Sequence, residues 1–295
     1  MRVGLAGLGR MGAAIGARLL EVGHELTVWN RSAGKTKALV DAGAKAAATP
    51  KELASGVDMV VTILTDAAAI DAVYAGPAGL LAGDIKSKLF IEMSTVRPET
   101  QIRLAAKVRA KGAAFVECPV GGTVGPARQG KLIGLMGAEP TDAERARPIL
   151  QQLCRRLEHV GSVGAGATMK LAINLPLMVY WQALGEALAL CRPLGLDPAR
   201  LMDLFGDSSG GANVLKVRGA AIAGALAGGD FGAVGFDIDS ARKDLRTMLA
   251  EAKAHGIDLP LVERTLACFD EVGAKGWGAR DAATLSIYWS ARKSG

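Results

Sequence analysis

The 295-residue sequence predicts a doubly wound α/β unit followed by an all-helical second half. Three observations carry the prediction. Short β-branched runs alternate with helical patterns through the first half, as βαβ units do. The first run is followed at once by Gly7-Leu8-Gly9-Arg10-Met11-Gly12, a turn that opens a helical pattern. After Gly161 to Gly166 (GSVGAG) the alternation stops, and helical sequence continues almost to the end. The chain is therefore expected to divide into domains 1–162 and 163–295.

Strands are expected at Arg2–Ala6, Glu25–Trp29, Asp58–Leu64, Lys88–Glu92, Ala114–Cys118, Lys131–Met136 and Arg156–Val160, paired as a parallel sheet. Between the first two, Met11, Ile15 and Leu19 fall four apart, the stripe with which a helix packs on a sheet. The apolar stretch Leu171 to Leu190 is long, but Asn174, Gln182 and Glu186 interrupt it and Pro176 and Gly185 weaken it. A central acid costs on the order of 3 kcal/mol in a bilayer, so the stretch reads as a buried interdomain helix and no membrane span is expected. Asp197-Pro198 starts a further helix by cap and first-turn logic. Ser208 to Gly211 and Gly224 to Gly235 read as loops, and the sequence has no internal repeat.

Composition narrows the function classes. Half the residues are hydrophobic and only 11 are proline, which excludes disorder, while 4% aromatics argue against a sheet on which bases stack. The 35 basic residues exceed the 29 acidic ones by six without forming a basic run, so a small anion is favoured over nucleic acid or a membrane surface. Cys118, Cys154, Cys191 and Cys268 form no CxxC pair, and His24, His159 and His255 are isolated, so no metal site is expected. Met1-Arg2 runs straight into a strand with no signal-peptide pattern, and a cytoplasmic location with reduced thiols is the expectation.

Glycines at positions 7, 9 and 12 form a GxGxxG turn between strand and helix. They permit a tight turn and close approach of a pyrophosphate to the helix N-terminus. At the end of the second strand, where an acid would bind the ribose hydroxyls of NAD, stands Asn30, followed by Arg31 and Ser32 and then by Lys35 and Lys37. No carboxylate repels a 2′-phosphate there and a guanidinium is at hand, which favours NADP over NAD. The competing reading of the same residues is an ordinary basic, solvated helix start.

Beyond the glycine-rich stretch, Gly166 to Asn174 (GATMKLAIN) places Lys170 and Asn174 four apart on one helical face, with Gln182 and Glu186 extending the stripe. An ammonium beside an amide on an apolar helix points to a ligand site. A lysine snorkelling from the helix start remains the alternative.

With these motifs the sequence resembles the β-hydroxyacid dehydrogenase family, which includes 3-hydroxyisobutyrate dehydrogenases, tartronate semialdehyde reductases and glyoxylate/succinic semialdehyde reductases. The resemblance rests on GLAGLGRMG, Met93-Ser94-Thr95, the Gly-rich segment Cys118 to Leu132, GATMKLAIN and Lys243-Asp244-Leu245. It implies an NAD(P)-binding Rossmann domain, a helical domain for substrate and self-association as a homodimer or homotetramer, and a small carboxylate-bearing substrate. It also implies Lys170 as the catalytic lysine and Asn174 as the amide that helps place the substrate. Thr95 and Lys243 match cofactor contacts, Leu64 and Thr65 line the cofactor, and Phe236 lies near the nicotinamide. Asn30-Arg31-Ser32 is similar to the NADPH-preferring reductase branch.

One departure stands out. The family's PVSGG string for the substrate carboxylate reads Pro119-Val120-Gly121-Gly122-Thr123 here. Backbone N–H groups of Gly121 and Gly122 and the Thr123 hydroxyl are the expected replacements for the lost serine. The alternatives are an imine-reductase-like NADPH enzyme, against which the retained lysine argues, and a dinucleotide-binding module without catalysis.

Overall fold

The computed structural model describes residues 1–292, which form two compact units, Met1–Leu171 and the chain from Ala172 on. The division between these units falls within a helix.

The first unit begins with β1 (Arg2–Ala6), α1 (Arg10–Glu21), β2 (Glu25–Trp29), α2 (Lys37–Asp41), β3 (Lys45–Ala46) and α3 (Pro50–Gly56). It continues with β4 (Met59–Thr62), α4 (Ala67–Tyr74), β5 (Leu89–Glu92), α5 (Pro98–Arg109) and β6 (Ala114–Glu117). These strands pair in parallel in the order β3-β2-β1-β4-β5-β6, the doubly wound arrangement the alternation predicts. Every residue of β4, β5 and β6 is buried. Val61, Ile91 and Val116 join Ile15 and Leu19 of α1 in one apolar cluster, whereas Val60, Phe90 and Phe115 join Leu53 and Tyr74 in another. Alternate side chains thus enter different cores, which is why these strands read as continuous apolar runs.

Parallel pairing is interrupted after β6. After β7 (Val120–Gly121) and α6 (Val124–Arg128), β8 (Leu132–Ala138) runs antiparallel to β6 and β7. A parallel return needs a crossover, usually a helix, that spans the sheet. The five residues of α6 are too few. The helix α7 (Pro140–Leu153) is long enough, and β9 (Cys154–Gly161) accordingly lies parallel to β8. Cys118 and Cys154 are buried free thiols at this end of the sheet. A Cβ built on Gly134 of β8 would lie 3.0 Å from each of their sulfurs.

Helix α8 (Ala165–Cys191) runs through the division and continues across Pro176. The second unit adds α9 (Pro198–Asp207), α10 (Leu215–Leu226), α11 (Ile238–Ala254), α12 (Pro260–Val272) and α13 (Thr284–Ala291). Asp197 caps α9 by accepting the Arg200 N–H at 3.0 Å, with Pro198 in the first turn. Asp237 caps α11 through the Ser240 N–H at 2.7 Å. The loop expected from Gly224 begins later, because α10 runs to Leu226 and ends where Gly228 takes φ +90°. Among the described residues no helix is long and apolar enough to cross a membrane.

Candidate active site

The glycine turn sits at the carboxyl end of β1, where the strand order reverses between β2 and β4. Its three glycines do different work. Gly7 has φ +98°, and a Cβ there would lie 2.2 Å from the Ile63 carbonyl oxygen. A Cβ on Gly12 would lie 1.9 Å from the Gly7 carbonyl, so the helix packs directly on the turn. Among the described residues a Cβ on Gly9 would meet nothing within 4 Å, which leaves space at the head of α1. Among the described residues no side chain caps that helix at Gly9 and its first turn carries no acid, so the positive end of its dipole favours an anion. Leu8 is buried, Met11 half-buried and Arg10 exposed.

Asn30 turns inward. Its Oδ1 accepts the Leu8 N–H at 2.9 Å and its Nδ2 donates to the Ser32 carbonyl at 3.1 Å, so the side chain braces the glycine turn. Arg31, Ser32 and Lys35 are exposed beside it, and Lys37 is paired with Asp41 at 2.8 Å.

The carboxyl ends of the neighbouring strands bring up the other first-unit residues. Leu64, half-buried, follows β4, and its N–H is accepted by the Ser94 hydroxyl at 2.7 Å; Thr65 is exposed and Thr95, half-buried, follows Ser94. Gly121 pairs with Ile133 in the β7–β8 ladder. Gly122 has φ +119°, and Thr123 heads α6 without a side-chain capping bond.

Lys170 and Asn174 lie one turn apart on α8, at 8% and 7% exposure. Asn174 Nδ2 donates to Asp244 Oδ2 at 3.0 Å, and Asp244, almost fully buried, is ion-paired with its neighbour Lys243. Further along, Gln182 donates to Glu186 at 2.8 Å. Half-buried Phe236 is held through its backbone, its carbonyl accepting the Ala282 N–H at 2.8 Å. Asp281 fixes the same loop by accepting the Gly235 N–H at 2.8 Å.

Two acids at this edge escape a reading by motif. Glu92 and Glu117 end β5 and β6, are direct cross-strand partners and are fully buried. Glu92 accepts the Ser94 N–H at 3.1 Å and is bonded to the Ser94 hydroxyl and the Gln101 amide. Burial pushes its carboxyl up to about 7 against these hydrogen bonds. Glu117 is likewise pushed up to about 7, by burial first and by the charge of Glu92 last, while backbone N–H groups of Gly164, Gly166 and Ala167 oppose the rise. The signal was visible in the sequence, since KLFIE and AFVE are apolar runs that each end in a glutamate. Among the described residues no three His, Cys, Asp or Glu side chains cluster as a metal site would require.

Comparison with known proteins agrees with this architecture. A family profile described as the NAD binding domain of 6-phosphogluconate dehydrogenase matches residues 2–161. A second, described as NAD-binding of NADP-dependent 3-hydroxyisobutyrate dehydrogenase, matches residues 164–288. The 3-hydroxyisobutyrate dehydrogenase of Pseudomonas aeruginosa is 34% identical over 262 residues, covering 88% of each chain. The chain belongs to the β-hydroxyacid dehydrogenase family. Glyoxylate/succinic semialdehyde reductase 1 of Arabidopsis thaliana is 31% identical to this dehydrogenase over 97% of each chain. Among solved structures, Psf3 in complex with NADP+ and 2-OPP superposes with a TM-score of 0.87 at 28% identity, covering 97% of this chain and 99% of that one. This dehydrogenase is thus an NAD(P)-dependent oxidoreductase with a Rossmann-type first unit. The space over Gly9 and the uncapped head of α1 fit a nicotinamide dinucleotide.

Proposed function

We propose that this dehydrogenase uses NADPH to reduce a small carboxylate-bearing aldehyde or keto acid, and in reverse oxidises the corresponding hydroxyacid, with Lys170 as general acid and base. The observation that carries the reading is the buried ammonium of Lys170 one helical turn from the buried amide of Asn174. The substrate class draws on the names of the Pseudomonas and Arabidopsis relatives. Preference for NADPH over NADH, which remains the second choice, draws on exposed Arg31 and Lys35 beside an Asn30 whose amide is spent on the glycine turn.

A nicotinamide cofactor held here would supply the hydride for the carbonyl carbon. Negative charge then grows on the carbonyl oxygen, and Lys170 donates a proton to it, an interaction stronger in the transition state than in the ground state. Asn174, its amide oriented by Asp244, places the reacting group. The Gly121-Gly122 backbone and the Thr123 hydroxyl hold the substrate carboxylate. Gly7 to Gly12, braced by the Asn30 amide, would hold the pyrophosphate, while Arg31, Ser32, Leu64, Thr65 and Thr95 would take the rest of the cofactor. Lys243 and Phe236 keep the cofactor role that the family pattern gives them.

Lys170→Ala should lower turnover of glyoxylate or succinic semialdehyde about 100-fold or more, the usual worth of general acid catalysis. Turnover within tenfold of the parent would contradict the reading. Arg31→Ala should cut the kcat/KM ratio of NADPH to NADH by roughly tenfold, as loss of one charge-assisted phosphate contact does. An unchanged ratio removes Arg31 from the phosphate site.

A further inference from the structure

Lys170 lies on the second turn of α8, so whatever fixes the first turn also fixes where its amine stands. Glu117 is placed to do this. From the end of β6 its Oε1 accepts the Gly164 N–H at 2.6 Å and the Gly166 N–H at 2.8 Å. Such N–H groups at a helix start have no partner within the helix, and a carboxylate there also meets the positive end of the dipole.

The socket is built for this one group. A Cβ on Gly137 of β8 would lie 2.3 Å from Glu117 Oε1. A Cβ on Gly166 would lie 3.2 Å from the same oxygen and 2.4 Å from the Leu135 carbonyl oxygen. Glycines on two separate elements therefore clear room for a single buried carboxylate, and among the described residues Oε2 of that carboxylate has no hydrogen-bond partner. Burying an acid so incompletely satisfied is costly, and a solvent-exposed Ser or Asp would cap a helix at far less expense. The cost is explained if the helix start must be tied to the sheet itself. The adjacent strand does the same for the cofactor side, since Glu92 holds Ser94, whose hydroxyl accepts the Leu64 N–H and whose neighbour is Thr95.

The geometry assigns Glu117 as a positioning residue for Lys170, tying the first turn of α8 to the end of β6 so that the amine inherits the rigidity of the sheet. The assignment rests on the role proposed for Lys170 above.

The test compares Glu117→Ala, which removes the acceptor, with Glu117→Gln, which keeps an oxygen in its place. In Glu117→Ala, kcat should fall about 10- to 100-fold, the cost of displacing a reacting group by roughly 1 Å. KM for NADPH should stay within about threefold, because the glycine turn is untouched. Hydrogen exchange at amides 163–170 should quicken at least about tenfold. Glu117→Gln should recover kcat to within about fivefold, which a residue acting as a proton donor would not allow. If Glu117→Ala fails to fold, Gly166→Ala crowds the socket with the carboxylate in place and should give the same loss of kcat. Either folded variant keeping kcat within twofold of the parent, or Glu117→Gln as impaired as Glu117→Ala, overturns the assignment. Lys170→Ala run beside them separates the two readings. If it retains turnover, the lysine mechanism fails and the assignment with it. If it is inactive while Glu117→Ala is not, only the assignment fails.

Discussion

At Gly121 a single methylene and hydroxyl separate this chain from the family's usual string. Its φ is not positive, and a Cβ would stand 3.6 Å from Ile133 Cβ, an ordinary contact. Serine therefore fits. Gly121→Ser should lower KM for a carboxylate substrate about tenfold, since a hydrogen bond to a charged group contributes roughly 1.5 to 3 kcal/mol; initial-rate kinetics decide it, and an unchanged KM would show that Thr123 already fills the role. Gly122 offers no such freedom, because its φ of +119° and a contact of 2.9 Å to Leu132 Cδ2 both exclude a side chain. Residue identity and spacing were enough to place the glycine turn at the head of α1 and to set Lys170 and Asn174 on one helical face. They could not show which way Asn30 turns. A short amide can face a ligand or brace its own turn, and only the positions of the Leu8 N–H and the Ser32 carbonyl decide between them.

At the scale of elements, β5 and β6 each place a carboxyl where water does not reach it. Both groups are pushed from the usual carboxylate range up to about 7, so the folded chain holds their protons more tightly than the unfolded chain. Their contribution to stability is therefore full below about pH 4.5 and declines as pH rises to about 7, after which it is constant. The fall amounts to roughly 3 kcal/mol per group. Urea unfolding of the parent should lose stability between pH 5 and pH 8, and Glu92→Gln should flatten that loss; an equal slope in both would show that Glu92 is not its source. Strand existence was legible because burial on two faces makes a run apolar throughout. Direction was not, since the same run serves a parallel or an antiparallel neighbour, and β8 took its direction from the short connection through α6. The two-residue strands β3 and β7 offer no period to read.

For the molecule as a whole, the second unit leaves large apolar side chains in water, with Leu190 at 82% and Val217 at 78% exposure. We propose that the homodimer or homotetramer implied by the resemblance covers them. Sedimentation should give two or four times the 30.4 kDa chain mass, and Leu190→Arg with Val217→Arg should shift it toward one; a parent that sediments as a single chain at micromolar concentration would refute this. The change from alternating to helical pattern was legible because periodicity changes there. That the compact units divide within α8 was not, since a continuous helix carries no mark of where its contacts change sides.

Cys118 and Cys154 flank Gly134 where the sheet turns antiparallel. Burial raises the Cys118 thiol well above its ordinary value and the Cys154 thiol to about 12, so both stay protonated and inert at neutral pH. An alkylating reagent can reach them only during the moments when that margin of the sheet comes apart. The chain thus carries two native timers, and the rate at which they are capped reports how often the edge opens.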